Sequence, residues 1–364
     1  MATWIPAWTP LSPSVWLCRP SQVLPFPLGE PGCTLYALGR HAIFHGARAL
    51  GLSNRDEILA PAYHAGPDIE ALRVLGARFR FYDATDSLAP DPDELESLLG
   101  PDTRALFLIH HLGFPQDAVR WRRWCDERNL LLIEDAAQSW LATWDGAPLG
   151  SYGDMALVCM YKMLPLPDGA ALITRAPLQQ PSPTPAPFGL AGVGHSHGSW
   201  LGHRIGSIGA ARSLLRQRSN DFDPASYVQL GGPDLAPTRL SLALLRRLAA
   251  SYEDVRERRR ANYEFLLSRL AEFVPPPFDR LPRGACPWML PVTTPAKHDL
   301  LAHLRRRRIG AMDFWSARHP ALTGDSHPNA LARGNTTVAI GVHQELRSDD
   351  LGRIVAAVSE FFRA

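Results

Sequence analysis

Between residues 36 and 174 the sequence switches repeatedly between two periods, and this alternation narrows the possible fold more than any other feature. Apolar runs at 57–61, 79–82, 105–110 and 130–134 have the length and composition of strands. Segments at 41–50, 68–75, 91–99 and 117–128 instead carry apolar residues at helical spacing. Runs such as LFLI and LLLI lack polar alternation, the pattern of strands covered on both faces. Strand–helix–strand repetition predicts a largely parallel sheet sandwiched by helices, an α/β architecture. Ligands of such sheets sit at the carboxyl ends of strands, so residues following each strand are the first candidates for function.

Periodicity fails from 177 to 232, where Pro, Gly and Ser are frequent, and the segment reads as a long loop or lid. A helical stretch follows at 240–270. The remainder, 287–364, reads as a smaller α/β unit with strands near 288–292 and 338–342 and a final helix from 349. The expected division is a large ligand-binding domain, 1–235, and a helical connection with a small domain, 236–364. No internal repeat is visible.

At 364 residues and 46% hydrophobic, the chain can build real cores. A formal net charge of +2 gives no electrostatic reason to expect a nucleic-acid or membrane partner. No run of apolar residues is long enough to span a bilayer, and the proline-broken N-terminus lacks the basic start of a signal peptide. Five scattered cysteines without CxxC spacing fit reduced thiols and a cytoplasmic protein.

The basic residues are uneven: only Lys162 and Lys297 are lysines, and the other 36 of 38 are arginines. A lysine amine can lose its proton and attack a carbonyl, which a guanidinium cannot do. Lys297, in the polar stretch TTPAKHDLL, reads as a solvated charge at a helix start. Lys162 lies between apolar residues (ALVCMYKMLPLPDG), a poor place for a merely structural lysine.

Three features align with pyridoxal-phosphate chemistry. In IEDAAQ, Asp135 and Gln138 follow the strand LLLIE, and a carboxylate there can keep a pyridine nitrogen protonated. As a structural residue, Asp135 would instead cap the next helix. Lys162 is placed to form a Schiff base and then act as general base. In LGRHAI, Gly39 opens a helix whose free N–H groups suit a phosphate, and Arg40 adds charge.

The ordered set GRHAIFHGARALGL, DEILAPAY, IHHLGFP, IEDAAQS, GSYGD and KMLPLPDGAAL resembles the DegT/DnrJ/EryC1/StrS aminotransferases, which include sugar-nucleotide aminotransferases. The likeness runs from about 37 to 174 and returns more weakly in the C-terminal third. It implies the fold-type I architecture of aspartate aminotransferase and pyridoxal 5'-phosphate as cofactor. Residue by residue, it implies that Lys162 carries the cofactor, Asp135 faces the pyridinium, and Gln138 packs at the ring. His110 matches a strand-end histidine, and Gly39, Arg40 and His41 fall at the phosphate turn. Tyr63 and His64 are candidates to stack on the ring, although the direct alignment places Ala65 there. The chain departs from the family in having Cys159 where a phosphate-binding serine is usual. Its Gly169-Ala170 replaces a glycine pair. In PTRLS, Arg239 is kept and Pro237 replaces an asparagine where the family's partner subunit reaches the cofactor.

The expectation is therefore an aminotransferase that moves an amino group from an amino-acid donor, glutamate, to a keto substrate. The implied acceptor is a nucleotide-linked keto sugar for polysaccharide or natural-product synthesis, handled by a homodimer with shared active sites. Rivals are another pyridoxal-phosphate reaction on a non-sugar substrate and a non-catalytic ligand-binding relative. His195, His197 and His203 have HxH spacing without a completing ligand, so no metal site is expected. The arginine runs at 256–260 and 305–308 read as solvated helix faces. His343-Gln344 is either a structural turn or an element near the site entrance.

Overall fold

The computed structural model describes residues 3–176, 183–184, 187–205, 232–316, 318–324 and 326–364. The first half supplies β1 (Cys33–Tyr36), α1 (Gly39–Ala49), β2 (Glu57–Pro61), α2 (Pro67–Arg73), β3 (Arg78–Tyr82) and α3 (Pro92–Leu98). It continues with β4 (Thr103–Ile109), α4 (Ala118–Glu127), β5 (Leu131–Asp135), the small hairpin β6 (Thr143–Trp144) and β7 (Ala147–Pro148), β8 (Met155–Cys159), α5 (Met160–Met163) and β9 (Ala170–Thr174). The second half adds α6 (Leu190–Ile205), α7 (Arg239–Leu248), α8 (Tyr252–Leu270), β10 (Met289–Thr293) and α9 (Lys297–Arg306). It ends with β11 (Ala311–Asp313), α10 (Pro328–Thr336), β12 (Thr337–Gly341) and α11 (Ser348–Arg363).

Seven strands form one sheet in the order β1-β9-β8-β5-β4-β2-β3. Strands β3, β2, β4, β5 and β8 run parallel, while β9 is antiparallel to β8 and β1. The strands are covered on both sides, as their unbroken apolar runs predict. Ile58, Ala105, Phe107 and Ile109 join α1 and α2 residues such as Ile43 and Ile69 in one core. Their strand neighbours Leu59, Leu106 and Leu108 join Leu95, Trp121 and Trp124 of α3 and α4 in another. Side-chain oxygens start both of those last helices: Asp91 accepts from the N–H groups of Asp93 and Glu94, and Asp117 from Arg120 N–H.

The second sheet is antiparallel, order β10-β12-β11, with α8, α9 and α11 packed together beside it. The chain's first residues join this unit rather than the large sheet. Ile5 N–H donates to the Arg308 carbonyl at 2.9 Å, and Gly310 N–H to the Ile5 carbonyl at 2.8 Å.

Two sequence expectations are corrected here. The segment 177–232 contains the 16-residue helix α6, so it is not one long loop. The glycines and histidines of α6 disguise a helix held by tertiary contacts: His197 Nδ1 lies 2.9 Å from the Leu11 carbonyl, and His203 Nε2 2.9 Å from Asp350 Oδ2. Residues 177–182, 185–186 and 206–231 of the expected lid lie outside the described residues. Lys297 is not solvated. It is 2% exposed, and its Nζ donates to the carbonyls of Gly334 (2.6 Å) and Phe314 (3.3 Å) and pairs with Asp313. A helix-start lysine looks polar in sequence, but α9 turns that side chain under the small sheet.

Candidate active site

The sheet delivers its chemistry along one edge. Asp135 is the last residue of β5, in register with Ile109 of β4 and Leu157 of β8. Cys159 ends β8, and one helical turn later stands Lys162. The N-terminus of α1 closes on the same edge. A Cβ built on Gly39 would lie 2.7 Å from Cys159 Sγ, so only glycine lets the helix start come this close. The turn is pinned to the Lys162 segment by Gly169 N–H donating to the Ala37 carbonyl (2.8 Å) and Met160 N–H to the Gly169 carbonyl (3.0 Å).

Asp135 is 6% exposed, and its Oδ1 accepts from Ala137 N–H at 2.8 Å. Burial, and then the nearby Asp68 carboxylate, push its pKa up to about 6, against the pull of Lys162, Ala137 N–H and His110. A cation close to this carboxyl would keep it ionised. Burial also raises the Cys159 thiol, opposed by the Lys162 charge and by hydrogen bonds from Tyr161 and Gly39 N–H. The Lys162 ammonium faces the Trp288 ring, with Nζ 5.1 Å from the centroid. Trp8 crosses Trp288 edge-on at 5.2 Å. Arg40 is half-buried on the first turn of α1, and its Nε has no hydrogen-bond partner among the described residues. His41 is buried next to it.

The other expected residues divide. His110 is at the edge, but both ring nitrogens are engaged: Nε2 lies 3.1 Å from Glu134 Oε2, and Nδ1 accepts from Gln116 N–H at 3.0 Å. Its polar atoms are therefore already taken by protein groups. The cause is Glu134, a buried carboxylate that also accepts from the backbone N–H groups of Gly150, Tyr152 and Gly153. Gln138 Oε1 is likewise taken by Leu112 N–H at 2.8 Å. Tyr63 is 5% exposed and stacks on His111 (5.8 Å, 13°), with Trp315 edge-on at 5.0 Å. His64 is buried and stacked on Phe81, with Nδ1 3.6 Å from Asp68 Oδ1. Arg239 is exposed at the start of α7 and outside this cluster.

Sequence reading missed Asp68, His111, Tyr161, Trp288 and Trp315. Burial holds the His111 imidazole down at about 3, so it is neutral at physiological pH. Only the placement of 61–68 and 110–111 directly after strands could have flagged Asp68 and His111. Trp288 and Trp315 flank strands β10 and β11 of the second sheet, and no local spacing marks them.

The fold and edge geometry define the class: a fold-type I architecture of the aspartate-aminotransferase kind. Over 99% of this chain and 100% of the other, it superposes on the aminotransferase TlmJ from Streptoalloteichus hindustanus with a TM-score of 0.70 at 20% identity. For S. venezuelae DesV in complex with a ketimine intermediate, the TM-score is 0.67 at 21% identity, covering 91% and 85% of the two chains. Residues 28–181 match the model of the DegT/DnrJ/EryC1/StrS aminotransferase family. Among curated proteins, a dTDP-3-amino-3,4,6-trideoxy-alpha-D-glucose transaminase of Micromonospora megalomicea subsp. nigra is 31% identical over 37% of each chain. A GDP-perosamine synthase of Escherichia coli O157:H7 is 25% identical over 39% of this chain and 40% of its own. The aligned region thus spans about 37% of the length of the first such relative.

The residues fit pyridoxal phosphate. Asp135 is a buried carboxyl suited to a pyridinium partner, the Gly39 turn is a helix start that excludes any side chain, and Arg40 has an unsatisfied buried nitrogen beside it.

Proposed function

We propose that this chain is a pyridoxal-phosphate-dependent aminotransferase. In this reading it moves an amino group from an amino-acid donor, glutamate, to a keto group on a nucleotide-linked sugar. The observation that carries the reading is the convergence of Lys162 and a buried Asp135 on neighbouring strand ends, beside the glycine start of α1. The sugar acceptor follows from the relatives, whose names include dTDP-sugar and GDP-sugar enzymes.

When bound, the cofactor supplies an electron-withdrawing ring that stabilises negative charge at the substrate carbon. Asp135 holds the proton at the ring nitrogen, and the ring's positive charge in turn keeps this carboxyl ionised. Lys162 carries the cofactor, and its unprotonated amine moves the proton at the substrate carbon. Arg40, on the first turn of α1, orients the phosphate, with Cys159 in place of a stronger hydroxyl partner. Trp288 walls the amine from water. His110 and Gln138 stiffen the strand ends from behind through Glu134 and Leu112. The reading includes a large cofactor-binding domain with a smaller C-terminal one, and a cytoplasmic homodimer. The exposed Arg239 then belongs to the surface that meets the partner's site.

The test is absorbance of the purified protein with pyridoxal phosphate, alongside Lys162→Ala, with and without borohydride. A visible band fixed covalently in wild type and absent from K162A is expected, with bleaching by glutamate. Identical behaviour of the two proteins refutes the assignment.

A further inference from the structure

Arg259 lies in the arginine run of α8 that reads as a solvated face in sequence, yet it is 1% exposed. Its guanidinium meets no carboxylate among the described residues. Every acceptor it finds is neutral: Thr9 Oγ1 (2.9 Å), the carbonyls of Met163 (2.9 Å), Pro287 (3.2 Å) and Trp288 (3.3 Å), and Gln344 Oε1 (3.0 Å). A buried cation without a counter-ion is costly to fold around, so these contacts must be well formed to hold it. Burial lowers its pKa to about 10, still protonated at neutral pH.

Two of the acceptors bracket Lys162. Met163 is the next residue in the chain, and its carbonyl also accepts from Gln344 Nε2 at 3.2 Å. Trp288 is the residue whose ring faces the Lys162 ammonium. The helix α5 that bears Lys162 has only four residues, too short to hold its own geometry. Its end is fixed instead by donors from α8 and from the turn after β12.

Resting on the aminotransferase reading above, we infer that Arg259, with Gln344, is a positioning residue that aims the Lys162 amine by clamping the Met163 and Trp288 carbonyls. Aim matters because attachment to a carbonyl carbon requires near-attack geometry, and small displacements cost large factors in rate. The neighbouring Arg260 provides the control. It is also well bonded, donating to the carbonyls of Pro282 and Ala285 at 2.8 Å each, but it touches neither side of Lys162.

The experiment compares wild type, Arg259→Met, Arg259→Lys, Gln344→Leu and Arg260→Met. Each is checked for melting temperature, for the rate at which the borohydride-fixable band forms with pyridoxal phosphate, and for the circular dichroism of that band. R259M is expected to form the band about 10- to 100-fold more slowly, with altered band ellipticity. R259K, which restores the charge and some donors, is expected to recover part of the rate, and Q344L to show a smaller defect than R259M. R260M is expected to lower the melting temperature while leaving rate and ellipticity at wild-type values. If R259M is too unstable to purify, the comparison of Q344L with R260M decides. Band formation in R259M or Q344L at the wild-type rate, or an equal slowing in R260M, overturns the inference. Failure of wild type itself to form the band would overturn the aminotransferase reading instead.

Discussion

Lys162 stands on a four-residue helix at the carboxyl edge of the large sheet, where its Nζ meets the face of Trp288 and no ion pair among the described residues. Lys297 starts a helix of the small unit and is saturated by Asp313 and the carbonyls of Phe314 and Gly334. In a chain that otherwise uses arginine, both lysines survive, for different reasons. An amine kept without a carboxylate partner remains chemically available, whereas one that satisfies three groups in a small buried space is structural. A compact ammonium with three donors suits that second task, which a planar guanidinium would overfill. Retention of a rare residue type therefore indicates a constraint, and its partners indicate which kind.

Substituting each lysine is the sharpest way to break this contrast. Lys162→Ala is expected to abolish the cofactor-dependent band and activity completely while changing stability by less than about 1 kcal/mol, read from absorbance and denaturant midpoints. The opposite pattern should hold for Lys297→Met, which leaves Asp313 and two carbonyls without their donor. A loss of about 3 kcal/mol in chemical denaturation is expected, with the band retained. Equal stability loss in the two variants would dissolve the distinction.

Asp135 extends the comparison to pH. Its folded pKa of about 6 lies above the ordinary carboxylate value of 3.8, so the folded state binds the proton more tightly than the unfolded one. Without cofactor, its contribution therefore falls as pH rises from about 4 to about 6 and stays low above that. Relative to wild type, Asp135→Asn should gain up to about 3 kcal/mol across this window, measured as the difference between two pH-dependent denaturation series. A flat difference would mean that Asp135 is not desolvated. The smallest effect is expected from Cys159→Ser, which places a better hydrogen-bonding group beside Gly39. Cofactor affinity, followed by titration, should rise by about 1 kcal/mol, or roughly fivefold, and an unchanged or weaker affinity would remove residue 159 from the phosphate contact.

Much of the fold was legible. The strand run at 57–61 coincides with β2, and the runs at 79–82, 105–110 and 130–134 lie within one or two residues of β3, β4 and β5. Strands buried on both faces write their period directly into sequence. The helix α6 escaped because its glycines and histidines carry little propensity, and its stability comes from Leu11 and Asp350. In the site, Lys162, Asp135 and Gly39 were visible as types of residue whose chemistry has few substitutes. His110 and Gln138 were equally visible, but their polar atoms turned out to be occupied by neighbouring protein groups.

The sequence by itself determined the alternation that builds the parallel sheet and the placement of Asp135 at a strand end and Lys162 just after another, because both depend on neighbours a few residues apart. Only the tertiary structure decided which arginine of the 256–260 run is buried, which lysine is saturated and which tryptophan faces Lys162. Arg259 meets Thr9 across 250 positions and Met163 across 96. Whether a polar group is solvated or bonded inside depends on which distant segments fold over it, and no local period records that.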